Sequence, residues 1–392
     1  MPHKGLLETA SRQFEKHFGR PHTAAAYAPG RIEVLGNHTD YNEGFVLSAA
    51  IDAGTVFLAA PSAGPSCRVL AGDVLEEAKF DVRKPERDVA MPWANYVKGV
   101  VAGLRAKHAF SSGFDGMLLG NIPLGAGLSS SAALETASAL ALCSLYDLPV
   151  DRMELAKIGQ QAEHAYAGVK CGLLDQISSL FGRRDSVVMT DFRTLAVETL
   201  PLGEDACFLM CNTHVKHRLV ESAYNERRTA CEQAAASFAA KLDHPVKALR
   251  DVSMAELEEH VAGLDPVVAR RAAHVIGENE RVQVGRKLLA AGDLPAFGQL
   301  MFASHESSRT KFENSCKELD VLVDAARGTA GVLGARLSGG GFGGSAVVLA
   351  HPRDAGAIGK SLSAAFRKTV GRPCEVRVVT PSDGAAVLKC GT

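Results

Sequence analysis

The sequence predicts an α+β fold of 392 residues in two parts. Three observations point there. Helix and strand signals alternate without a long βαβ series, most polar motifs fall in the first half, and the second half reads as helices followed by a small sheet. Segment 6–18 has the helical spacing of Leu7, Phe14 and Phe18, and Pro29 with Gly30 marks a turn into an apolar strand at 32–35. Helices are expected at 93–108, 130–146, 153–166 and 220–242, with strands between them at 116–119, 186–190 and 207–211. Toward the end, 334–337, 345–350 and 375–379 read as strands bracketing a helix at 355–367. The turn-forming stretch 201–203 divides the chain into an N-terminal domain, 1–202, and a C-terminal domain, 203–392.

Composition narrows the partners. Hydrophobic residues make up 46% of the chain, enough for a sizeable core. Forty-three Lys and Arg balance forty-four Asp and Glu. The local basic groups, Lys311, Arg336 and Arg183 with Arg184, form no run that would follow a nucleic-acid backbone or an anionic membrane, so a small molecule is the expected partner. The nine cysteines include no CxxC pair, and Cys207 and Cys211 fall in a strand-like run, which suits free thiols in a reducing cytoplasm. The first twenty residues lack the apolar core of a signal peptide, and the apolar stretch 132–145 is too short, and broken by Glu135 and Ser138, to span a bilayer.

Four stretches carry chemistry. GRIEVLGNHTDYNEG at 30–44 gathers Arg31, Asn37, His38, Thr39 and Asp40 among glycines. NIPLGAGLSSSAALETASALAL at 121–142 lets the backbone approach an anion at Gly125 and Gly127, then runs through Ser129, Ser130 and Ser131 into an alanine-rich helix. Free amides and the positive dipole end then meet at one point, which favours phosphate. No lysine follows as in a Walker loop and GxGxxG is absent, and a serine-capped turn would also fit these letters. GVKCGLLDQISSLFG at 168–182 sets Asp175 in apolar company, costly unless it is paired or functional. GARLSGGGFGGSAVVLA at 334–350 has five glycines within 339–344 that demand unusual backbone angles. Together they imply a site for a nucleotide and a polar substrate. His214 with His217, and Tyr166, read as structural, because no carboxylate or cysteine joins them at ligand spacing.

These motifs resemble those of the galactokinase family, a branch of the GHMP small-molecule kinases that also holds homoserine and mevalonate kinases. WANYVKGV at 93–100, AYNERRTACE at 223–232 and SCKELDVLV at 315–323 add to the likeness, so that seven motifs occur in order over nearly the whole chain. The resemblance implies the GHMP kinase fold, with an N-terminal ribosomal S5-like domain, a C-terminal ferredoxin-like domain and the active site in the cleft between them. It implies transfer of phosphate from ATP to the C1 hydroxyl of a monosaccharide. Asp175 matches the catalytic base and Arg31 the cation beside the transferring group. Gly125, Ala126, Gly127, Leu128, Ser129, Ser130 and Ser131 match the triphosphate loop, Ser131 and Glu163 the magnesium ligands, and Trp93 the aromatic residue flanking adenine. Asn37, His38, Thr39, Asp40, Gly172 and Tyr224 match the sugar-binding set.

Two departures bear on the substrate. Galactokinases carry glutamate at position 37, close to C6 of the sugar, and a small or neutral residue at position 170, where this chain has Asn37 and Lys170. Removing an anion and adding a cation leaves open galactose, a C6 sugar acid such as galacturonate, or a pentose such as arabinose. A non-catalytic sugar sensor is the reading of a different class. The intact phosphate loop, base and metal pair favour an enzyme, with galactose as the first choice.

Overall fold

A computed structural model describes residues 4–123, 125–169, 171–216 and 220–389. Its first sheet is built around a long antiparallel pair, β1 (Ala24–Leu35) and β2 (Phe45–Pro61). Then follow β3 (Ser66–Ala71), β4 (Glu76–Asp81), β5 (Phe114–Gly120), β6 (Ser186–Asp191) and β7 (Ala196–Pro201). The start of β2 pairs with β6 and its end with β5, so one strand serves both wings of the sheet. Helix α1 (Lys4–Phe18) buries Ala10 and Phe14 on one face of this sheet. Helices α2 (Ala94–Lys107), α3 (Ser130–Leu145), α4 (Arg152–Ala162) and α5 (Leu174–Phe181) belong to the core on the other.

Burial on both faces explains why the alternating pattern fails in the central strands. Every residue of β1 is buried, and alanines recur in β1, β2 and α3, with Ala24 paired to Ala59 across the ladder. Small side chains let helix and sheet approach closely, but they erase the period-2 signal on which a sequence reading of 45–61 would depend. Register breaks in the β1–β2 ladder fall between Pro29 and Arg31 and between Glu33 and Leu35. Such irregularities re-aim side chains, and the regular stretch between them carries Arg31 and Glu33.

The second sheet comprises β8 (Cys207–Lys216), β9 (Val332–Ser338), β10 (Gly343–Ala350) and β11 (Glu375–Val379), all antiparallel in the order β11-β8-β10-β9. Before β9 come α6 (Val220–Ala239), α7 (Met254–His260), α8 (Pro266–Ala290), α9 (Leu294–Ser307) and α10 (Lys317–Arg327); α11 (Pro352–Val370) joins β10 to β11. Leu319, Leu322, Leu362 and Phe366 of α10 and α11 share a core with Leu209, Leu337 and Val348 of the sheet. The chain then crosses back: Ser382 donates to the Ile51 carbonyl, and β12 (Ala386–Val387) pairs with β1 at the edge of the first sheet.

Helix α8 has clear end signals, with Asp265 accepting from the amides of Val267 and Val268 ahead of Pro266. Its core face, however, includes Arg271, His274, Glu278 and Asn279, so no apolar stripe marks it in the sequence. The helix expected at 153–166 ends as α4 at Ala162 and continues as a π-turn over Glu163–Ala167. Among the described residues all eight cysteines are unpaired, Cys207 and Cys211 both lie on β8, and no helix is long and apolar enough to cross a membrane. His217 lies outside the described residues.

Helix α9 lies on β9 through two facing glycines. A Cβ at Gly298 would sit 2.1 Å from the Leu333 carbonyl oxygen, and one at Gly334 would sit 2.4 Å from that of Gly298. Gly298→Ala should therefore force helix and strand apart and lower stability by about 1–3 kcal/mol. Urea unfolding checks this, and a midpoint equal to that of the parent protein would show that the two elements separate without cost.

Candidate active site

Arg31 is where the site begins. Its Nε donates to Asp175 Oδ1 at 2.8 Å, its Nη2 lies 2.6 Å from the same oxygen, and its Nη1 donates to the Gly127 carbonyl at 2.7 Å. The backbone amide of Arg31 also donates to the Leu128 carbonyl at 3.1 Å. One residue of β1 thus ties the first glycine loop to the acid at the start of α5. Asp175 Oδ2 accepts from Ser129 Oγ at 2.5 Å. The carboxylate also sits in the first turn of α5, where the helix dipole favours negative charge.

The loop before α3 has the backbone its letters require. Gly125 and Gly127 are left-handed, and Ser129 adopts φ 57° as the residue preceding the helix. The Ala133 amide donates to the Ser129 carbonyl, leaving the amides of Ser130, Ser131 and Ala132 ahead of the helical ladder, as an anion site requires. Ala126 and Leu128 are buried, and the Ala126 carbonyl accepts from Ser345 of β10 at 2.7 Å, so the second sheet braces the loop from behind. Ser131 Oγ donates to Glu163 Oε1 at 2.8 Å, bringing together the two oxygens expected to hold magnesium. Burial raises the Glu163 carboxyl, against hydrogen bonds from Cys171 and Ser131 that lower it.

Beside Asp175 opens a cavity of about 790 Å³, lined among others by Arg31, Glu33, Asn37, His38, Asp40, Gly172, Tyr224 and Gly340. His38 has both ring nitrogens occupied, Nδ1 by the Tyr41 hydroxyl at 2.9 Å and Nε2 by the Gly340 carbonyl at 3.0 Å. Burial pushes it down to about 4, so it is neutral, donates from Nε2 and packs its ring against Tyr224 and Phe312. The Asp40 carboxylate accepts from no described side chain. Burial, together with the charges of Glu33 and Asp175, pushes it up to about 6. Gly172 makes room for it, because a Cβ there would stand 2.2 Å from Asp40 Oδ2.

Asn37 differs from expectation in what it touches. It is 1% exposed, and its amide hydrogens go to Glu33 Oε1 at 2.9 Å and the Gly339 carbonyl at 2.8 Å. Its carbonyl oxygen accepts from Asn314 at 2.8 Å and Ser308 at 3.4 Å. The carboxamide is a saturated strut in the wall. Glu278 of α8 fixes the backbone beneath it, accepting from the amides of Gly36 at 3.0 Å and Asn37 at 2.9 Å. Burial opposes that carboxylate, but Arg281, His274 and Arg336 bring it down to about 2.

Other expected residues stand apart from the cavity. The Thr39 hydroxyl bonds to the Gly36 and Phe45 carbonyls and so closes its own turn. Trp93 precedes α2, half-buried on the core edge, with its indole N–H donating to Glu76 at 2.9 Å. Lys170 lies outside the described residues. Glu33 and Glu278 were not singled out from the sequence, and Arg336 was named only as a local basic group. A strand period of two from Arg31 points to Glu33; nothing local points to Arg336 as a buried partner.

Comparisons with known proteins identify the family. The galactokinase galactose-binding signature matches residues 12–61, the GHMP kinase N-terminal domain 95–183 and the GHMP kinase C-terminal domain 286–368. A galactokinase of Chloroflexus aurantiacus is 39% identical over 97% of this chain and 98% of its own, and one from Roseiflexus is 40% identical over 97% of each. The chain belongs to the galactokinase family. Like other galactokinases it is an ATP-dependent sugar kinase, a phosphotransferase. The structure of Lactococcus lactis galactokinase complexed with galactose superimposes with a TM-score of 0.92, at 34% identity over 98% of this chain and 100% of that one. Mevalonate kinase from Methanococcus jannaschii shares the fold, with a TM-score of 0.65 at 16% identity over 92% of this chain and 99% of its own.

The raised Asp40 carboxyl sets a pH dependence. Its charged form, the stronger acceptor for sugar hydroxyls, is populated only above about 6. The protonated form adds stability to the free protein at pH below the ordinary value of 3.8, a contribution lost as pH rises through 6. If Asp40 holds a sugar hydroxyl, as the family resemblance implies, sugar capture runs the other way and kcat/KM for the sugar should fall as pH drops through about 6. Asp40→Asn should lower kcat/KM by about 10-fold or more and remove that limb. A limb that persists unchanged in the variant would assign it to another group.

Proposed function

We propose that this galactokinase-family enzyme transfers the γ-phosphoryl group of ATP to the C1 hydroxyl of galactose, with Asp175 as the base. The observation that carries the reading is the placement of the Asp175 carboxylate between the α3 loop and the polar cavity, held by Arg31 and Ser129. A sugar hydroxyl that enters beside Asp175 gives its proton to the carboxylate as its oxygen attacks the terminal phosphorus and ADP leaves. Arg31 positions the carboxylate and supplies positive charge next to the transferring group. The amides of Ser130, Ser131 and Ala132 receive phosphate oxygens.

The paired oxygens of Ser131 and Glu163 fit magnesium, a hard cation that takes few protein ligands and keeps water and phosphate oxygens. When bound, the ion neutralises charge on the phosphates. The eight unpaired cysteines suit a reducing cytoplasm.

The alternative of a C6 sugar acid or pentose rests on Asn37 together with Lys170, which lies outside the described residues, and Asn37 has no free amide to offer such a substrate. The carboxamide is engaged by Glu33, Gly339 and Asn314, and the likeness to galactokinases supports galactose. A sensor without turnover would have no use for the aligned base, cation and metal pair, which favours the enzyme.

Asp175→Asn keeps shape but cannot take the proton. ADP release with galactose should fall by about 10² or more, while galactose affinity measured by calorimetry changes far less. Equal losses in both would make Asp175 a binding residue. Ser131→Ala and Glu163→Gln should each raise the magnesium concentration needed for half-maximal rate, and titrations that overlay the parent enzyme would rule the pair out as ligands.

A further inference from the structure

The cavity holds a carboxylate that none of the expected roles uses. Arg31, Ile32 and Glu33 pair in regular register with Ala50, Ala49 and Ser48, so Arg31 and Glu33 leave β1 on the same face, about 7 Å apart along the strand. Both line the cavity. Arg31 stands at its phosphate end against Asp175 and Gly127; Glu33 stands at the far end, with Asn37, Gly339 and Gly340.

The two oxygens of Glu33 have different surroundings. The residue is 5% exposed, and Oε1 accepts both from Asn37 at 2.9 Å and from Arg336 at 3.1 Å. No described group donates to Oε2. Glu33 lines the cavity, so this oxygen is placed to accept from a ligand that enters there. The side chain is also rigidly placed. Ser338 Oγ bridges the Glu33 amide and carbonyl at 3.1 and 3.2 Å, and Arg336, which is 0% exposed, lies behind the carboxylate with Nε and Nη2 unpartnered. The Arg336 charge offsets the cost of burying an anion here. Asn37, with its whole carboxamide engaged, positions Glu33.

We propose that Glu33 is a substrate-binding, specificity-determining residue: its free oxygen accepts a hydrogen bond from a sugar hydroxyl remote from the reacting one and turns away sugars that carry a carboxylate there. The proposal rests on the galactose-kinase reading above and names the group that selects the substrate. A substrate carboxylate at this end would face Glu33, with Asp40 close by. Two like charges about 4 Å apart at an effective dielectric of 20 correspond to roughly a thousandfold in affinity. Neutral hexoses meet no such barrier.

The test is kcat/KM for galactose, its 2-, 3-, 4- and 6-deoxy analogues and galacturonate, on the parent enzyme and on Glu33→Gln. The parent should prefer galactose to galacturonate by about 10² or more. Glu33→Gln should lose about 10-fold or more on galactose through KM, gain as much in the galacturonate-to-galactose ratio, and lose its discrimination against one of the deoxy sugars. A purely structural role would lower all sugars together, and unchanged ratios would overturn the proposal. If the variant does not fold, the parent alone decides, since galacturonate turnover within about 10-fold of galactose would also overturn it. Absence of any galactose turnover by the parent would overturn the galactose reading and this proposal with it, whereas turnover with unchanged ratios removes only Glu33.

Discussion

The site depends on one guanidinium. Arg31 binds Asp175 through two nitrogens and the Gly127 carbonyl through the third, with its backbone amide on Leu128. The side chains of Arg31 and Asp175 are 10% and 22% exposed, so each would be costly to bury without the other. The pairing brings together three distant stretches of chain: the second half of β1, the loop before α3 and the first turn of α5. The phosphate loop stands beside a carboxylate because both are fastened to the same residue. Ser129 closes the triangle by bonding Asp175 from within the loop.

A second polar network does for the sugar end what Arg31 does for the phosphate end. Glu278 accepts from the Gly36 and Asn37 amides and from Ser304, while His274 bonds the Asn37 carbonyl and Ser307. These partners come from α8 and α9, and Arg336, Ser338 and Asn314 add contacts from the second sheet and the segment leading to α10. The cleft is therefore a jointly built wall. Many of its polar groups bond one another, although Arg336 Nε and Nη2 and Asn314 Oδ1 have no partner among the described residues, and the carboxylates of Glu33 and Asp40 line the cavity as acceptors open to a ligand.

How much of this was legible varied with how local the physics is. The phosphate loop was readable because Gly125, Gly127 and the serines before α3 dictate their own backbone and present their own amides. Asp175 was readable because an acid in an apolar run needs a reason. Helix α8 was not, since the charged residues that face its core give no apolar stripe. Strand β2 was obscured by alanines packed on both faces. Arg336 counted as one of the local basic groups, yet it is among the largest fully buried side chains.

The sequence by itself determined the chemistry on offer: a glycine-serine loop leading into a helix, an isolated acid and a polar turn with an arginine, a histidine and an aspartate. Those are properties of neighbouring residues and survive without knowledge of the fold. Only the tertiary structure decided which polar groups face the cavity. Asn37 was the residue in question, and its carboxamide is claimed by Asn314 and Gly339, separated from it by 277 and 302 positions in the chain. A side chain's remaining hydrogen-bonding capacity depends on every partner the fold brings to it, and so the free acceptor passed to Glu33, four residues earlier on β1.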